Sequence, residues 1–147
     1  MSRPTAAARI AALALIAAAA ATAAPPAAPK WDQHAVLALG EKLASALSDA
    51  QAASREAPLQ ATALQQRNRD GALSEFRRVR EAADSYVAKL RAGWDRDMTA
   101  AYFRAVRNGL RDAVKSARDA VPSEQVDQHL NEANQALAEL ARYYPDI

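Results

Sequence analysis

The chain has no cysteine, only two histidines and only four glycines in 147 residues, and each scarcity removes a class of chemistry. Without cysteine there is no disulfide framework, no thiolate nucleophile, no thiolate metal site and no thioether-linked haem. Gly40, Gly71, Gly93 and Gly109 are scattered, so no glycine-rich loop brings successive amides onto a phosphate. Neither G-x-S-x-G nor H-E-x-x-H occurs. Carboxylates such as Asp95 and Asp97 read more simply as helix caps than as a catalytic pair. The expectation is a protein without enzymatic activity and without a bound cofactor or metal.

What is present begins with an address. Arg3 and Arg9 form a positive n-region, residues 10–20 are continuously apolar, and Ala21-Thr22-Ala23 is a small-x-small cleavage site. The apolar run is shorter than the ~20 residues a spanning helix needs, so residues 1–23 are expected to be a cleaved secretory signal and the mature chain periplasmic or secreted. Residues 24–31 are a flexible proline-rich leader, and residues 32–147 a single domain. Arg3 and Arg9 leave with the signal, so 17 cations then balance 17 acids. Neutrality removes the whole-protein argument for nucleic-acid binding. The charge is uneven: residues 67–118 carry 13 cations and 7 acids, residues 119–147 carry 1 and 6.

Alanine-rich, glycine-poor composition predicts helix throughout, and apolar spacing of three and four divides it into four helices. The first covers 32–54, with Asp32 as N-cap and a seam of Val36, Leu39, Leu43, Leu47 and Ala50. Pro58 closes it. Residues 58–70 are expected to be a long connection with little helix. Continuing the next helix backwards would set Gln66 and Arg69 on its buried seam and leave Leu59 and Leu64 off it. Helix two runs 71–92 behind Asp70, on Leu73, Phe76, Val79, Ala83, Tyr86/Val87 and Leu90, and Gly93 closes it in the left-handed conformation. Helix three spans 97–121, with Asp95, Asp97 or Thr99 as its cap. Helix four spans 123–144 on Val126, Leu130, Ala133, Leu137, Leu140 and Tyr144, with Ser123 as N-cap. Short links make consecutive helices antiparallel, so the predicted architecture is an all-α, up-down antiparallel four-helix bundle. Gly40 and Gly109 lie inside helices on the flank of the seam, which fits either close helix packing or tolerated exposure.

Two features could carry function. A haem or other small molecule held between helices is one alternative, since bundles do this. Its ligands are poorly set: His34 falls nearly opposite the seam of its helix and His129 at the edge of its own. The stronger feature is on helix three. Arg104, Arg107, Arg111, Lys115 and Arg118 form a stripe roughly 80° wide, about 110° round from the apolar face. One reading makes it a binding surface for an acidic envelope component or acidic protein. Nucleic acid is disfavoured, because no aromatic residue interleaves the stripe for base stacking. The other reading has the cations facing solvent or the acids of helix four, with Asp112 and Asp119 nearby on their own helix. Charge balance favours that second reading. Self-association is compatible with either. The expected role is a non-enzymatic interaction protein of the cell envelope.

Overall fold

The computed structural model describes residues 27–58 and 62–147. The signal, the first part of the leader and Leu59 lie outside them. Four helices follow in order: α1 (Gln33–Glu56), α2 (Ala63–Arg91), α3 (Arg96–Ala120) and α4 (Glu124–Ala141). Among the described residues there is no strand, and no helix is long and apolar enough to cross a membrane. The molecule is an all-α, up-down four-helix bundle. Gln33 reaches the Leu90 carbonyl at one end of the α1/α2 pair and Arg69 reaches the Ser54 carbonyl at the other, so these helices are antiparallel. α2 packs along α3 and α1 along α4, while the backbones of α3 and α4 approach closely at few points.

Helix starts follow local chemistry. Asp32 accepts from the His34 and Ala35 amides, and Asp95 rather than Thr99 caps α3, accepting from Asp97 and Met98. Ser123 precedes α4 without a side-chain cap bond. Gly93 at φ 81° closes α2 as expected. Trp31 presents its edge to the rings of Tyr143 and Tyr144, joining the ends of α1 and α4.

The start of α2 corrects the sequence reading. The helix begins at Ala63, eight residues before Gly71, and the connection shortens to residues 57–62. Thr62, not Asp70, is the N-cap: its hydroxyl accepts from the Gln65 amide while the Gln65 side chain accepts from the Thr62 amide, which satisfies two free donors at once. The seam does place Arg69 inside, only 6% exposed, and leaves Leu64 67% exposed. Burial is tolerated because the guanidinium donates to three main-chain oxygens where α1 ends, Ser54 at 3.1 Å, Arg55 at 2.9 Å and Pro58 at 3.3 Å. Those oxygens are the orphan acceptors and the negative end of the α1 dipole, so the cation needs no carboxylate.

The core is one cluster running the length of the bundle. Its aromatic members concentrate at the end holding the α1 and α3 N-termini: Tyr86, Phe103 and Tyr144 are fully buried there, with Phe103 and Tyr144 stacked at 4.2 Å. Towards the other end alanine takes over, at Ala46, Ala50, Ala53, Ala72, Ala117 and Ala120. Both helical glycines on seam flanks mark close approaches. A Cβ at Gly109 would stand 3.2 Å from Val79 on α2, and one at Gly40 would stand 3.2 Å from Leu90 and 3.3 Å from Tyr86.

Gly109→Leu is expected to lower stability by about 2 kcal/mol through overpacking, against Gly71→Ala, where a Cβ meets nothing within 4 Å and helix propensity gains about 0.5–1 kcal/mol. Thermal unfolding of both variants reads the difference, and a neutral Gly109→Leu would contradict the close α2/α3 approach. Arg69→Met keeps the volume but strips three carbonyls of their donor, and chemical denaturation should show a loss of about 2–3 kcal/mol.

Candidate interaction surface

The row on α3 is positioned by the packing of that helix. Gly109 against Val79 fixes which flank of α3 meets α2, and the helical period then turns positions 104, 107, 111, 115 and 118 to the far side, towards α4. Arg104, Arg111, Lys115 and Arg118 are exposed and Arg107 is half-buried. Over 14 residues at 1.5 Å each the row is about 21 Å long.

Because α3 and α4 stand apart, this side carries depressions rather than a closed seam. One, of about 370 Å³, is lined by Val114 and Arg118 from α3 and by Asp127, Leu130, Asn131 and Asn134 from α4. A second, of about 260 Å³, lies at the opposite end of the same side between Arg96, Arg104 and residues 144–147. Arg107 donates to the main-chain oxygen of Ile147, tying the segment after α4 onto α3 between the two depressions. Arg96, paired with Asp97 at 3.3 Å, lies two turns before the row, and Asp97 and Asp146 line the same depression. The position of Arg96 eight residues before Arg104 was open to periodicity, but its place among helix-capping residues concealed it.

The acids of α4 do not meet these cations. Among the described residues Arg111 has one carboxylate within reach, Asp112 on its own helix at 3.5 Å, both exposed. Among the described residues Arg104, Lys115 and Arg118 make no ion pair, and neither do Glu124 and Asp127. Glu132 turns towards α1: it contacts His129 at 3.2 Å and feels Lys42. Hydrogen bonds from His129 first, then Gln128, hold its carboxyl below the ordinary value. Of the two alternatives for these cations, solvent and the acids of helix four, the described residues show the first. Asp127 lines the groove beside Arg118 without reaching ion-pair distance, Glu124 lies on the outward strip of α4, and Arg104, Arg111, Lys115 and Arg118 are exposed.

The histidines do not assemble a cofactor site. His34 is exposed and His129 is engaged with Glu132. Among the described residues no group of three or more His, Cys, Asp or Glu could hold a metal.

The buried polar groups with chemistry are three hydroxyls that sequence reading left as core or cap residues. Tyr144 lies 2.9 Å from the Tyr86 hydroxyl and 2.8 Å from that of Thr99, which bonds in turn to the Asp95 carbonyl at 2.7 Å. These bonds fix the segment after α4 against α2 and α3. Burial raises both phenol pKa values, most strongly for Tyr86. Raised values mean the pair contributes fully below the ordinary 10.0 and loses that contribution as pH climbs above it. In a spectrophotometric titration at 295 nm, Tyr86 and Tyr144, two of the four tyrosines, should ionise only as the helical signal collapses. Full ionisation with the fold intact would show that they are not enclosed. No protein family, no curated protein and no solved structure matches this chain.

Proposed function

We propose that this chain is a non-enzymatic binding protein of the cell envelope that uses the α3 side facing α4 to hold an anionic partner. One observation carries the reading: the cations of a 21 Å row, about that length by helix rise, lack compensating acid from the neighbouring helix although that helix is acidic. A surface selected only for solubility has both signs interspersed. Here five cations share one row, and among the described residues only Arg111 has a carboxylate at ion-pair distance. Export rests on the N-terminal signal pattern of residues 1–23.

The partner's chemistry follows from the spacing. Successive cations are three or four residues apart, so neighbours stand about 5–6 Å from one another. That pattern suits several anionic groups displayed in a line or on a plane, and it exceeds what a single small anion could use. Guanidinium heads can each take two oxygens of a phosphate or carboxylate. The floor between the helices is only partly apolar, with Val114 and Leu130, so attraction is mainly electrostatic and screened by salt.

Vesicles of phosphatidylglycerol should pellet the mature protein at about 0.02 M NaCl and release it by about 0.5 M, where the screening length has fallen below the size of a side chain. Phosphatidylcholine vesicles should not bind. The variant Arg104→Glu/Arg111→Glu/Lys115→Glu should bind at least tenfold more weakly while melting no lower than the wild type, since it turns three of the row's four like-charge neighbours into opposite pairs. Equal binding to both lipids, or no loss in the variant, contradicts an anion-binding role for the row.

A further inference from the structure

We propose that the α3/α4 side also recognises a second copy of this chain, forming a two-fold dimer in which α3 of each copy lies along α4 of the other. The inference rests on the reading of that side as an interaction surface, and it names an occupant for it.

The complementary surface is in the molecule itself. Asp127 and Asn131 line the groove beside Arg118 and also belong to the outward strip of α4 that continues through Glu124, Gln128 and Gln135. Among the described residues Glu124 and Asp127 have no ion-pair partner in their own bundle, and Lys115 and Arg118, one helix away, have none either. Val114, Arg118, Asp127 and Asn131 share one groove, so the two charge sets sit at the same level along the bundle axis.

Geometry selects the symmetry. A two-fold axis perpendicular to the helices would lay α3 on α3 and oppose like charges. An axis parallel to the helices preserves level and exchanges α3 for α4, bringing Lys115 and Arg118 of one copy opposite Glu124 and Asp127 of the other. The contact is isologous, so each pairing occurs twice. Charge balance in the mature chain removes long-range repulsion between copies. At the other end of the side Arg104 shares its depression with Asp97 and Asp146 of its own copy, so the contact argued here is local to the level of Arg118 and Asp127. Its area is small for a stable complex, and association should be weak and salt-sensitive.

Sedimentation velocity on the mature protein up to about 1 mM tests this with charge reversal. Wild type should show a concentration-dependent dimer at low salt that dissociates at high salt. Lys115→Glu/Arg118→Glu makes both helices acidic at this level, and Glu124→Lys/Asp127→Lys makes both basic, so each variant alone should be monomeric. Mixed in equal amounts the two are complementary on both helices, and a heterodimer should form at least tenfold more tightly than either homodimer. Recovery in the mixture also shows that neither variant has merely unfolded. A wild type that stays monomeric at every salt concentration, variants that still dimerise, or a mixture that stays monomeric would each overturn the proposal. Vesicle binding is read separately. A monomer that still binds phosphatidylglycerol overturns only the self-pairing, and a dimer indifferent to vesicles overturns only the anion-binding reading.

Discussion

The arrangement depends on how closely α2 can be approached from both sides. Gly40 brings α1 against Leu90 and Tyr86, and Gly109 brings α3 against Val79. A side chain at either position would widen the contact or force Val79 or Leu90 aside. With α1 and α3 both drawn to α2, and α4 packed along α1, the fourth side of the bundle is left wide. The cationic flank of α3 faces that side. An exposed row there is thus a consequence of packing on the opposite flank of the same helix, about 9 Å of helix diameter away.

The two ends solve different problems with different residues. At the aromatic end large rings fill the space between diverging chain termini, and the phenol of Tyr144 is satisfied by Tyr86 and Thr99 instead of water. Stacking of Tyr144 on Phe103 then gives α3 and α4 a firm contact that their backbones do not provide. At the alanine end small residues let the helices converge, and the cost is little buried area per residue. Arg69 offsets this by joining α2 to the last carbonyls of α1. A buried cation here replaces the apolar mass that an alanine-rich interface lacks.

Periodicity made the bundle legible. The seams of α3 and α4 repeat without interruption, so their buried faces could be read directly, although α4 ends at Ala141 and not at 144, with Tyr144 buried beyond the helix. Asp32 and Gly93 bound α1 and α2 as expected, and Asp95 is the one of three candidate caps that α3 uses. The start of α2 was not legible for an instructive reason. Projection of the seam put Arg69 in the interior, as observed, but the rule that buried charge is costly then argued against the helix. What cancels that cost is a set of acceptors 11–15 residues earlier in the chain, and they become neighbours only after α1 and α2 have paired. Thr62 and Gln65, a capping box in the sequence, were the local signal that would have outweighed it. The candidate surface was half legible. Spacing identified the five cations, whereas composition assigned acid to helix four without its direction. Glu132 lies towards Lys42 and His129, a fact about azimuth between helices that no single-helix pattern contains.

The row is a cost to the helix that carries it. Arg104 and Arg107, Arg107 and Arg111, Arg111 and Lys115, and Lys115 and Arg118 are like charges at spacings of three or four, and each such pair destabilises a helix by about 0.2–0.5 kcal/mol. Four of them amount to roughly 1–2 kcal/mol at low salt, in a class of molecule whose whole stability is about 5–15 kcal/mol. Glutamates at alternate positions would have turned the same pairs into attractions with no change to the buried seam. Asp112 pairs with Arg111 from an exposed position, and Asp112 and Asp119 stand three and four residues from Lys115, which offsets part of that cost but not all of it. The apolar face of α3 accounts for its place in the bundle, and it places no demand on the charge of the opposite flank. A row that weakens its own helix and finds little compensation within the described residues is therefore better explained by anionic groups outside the bundle than by the fold.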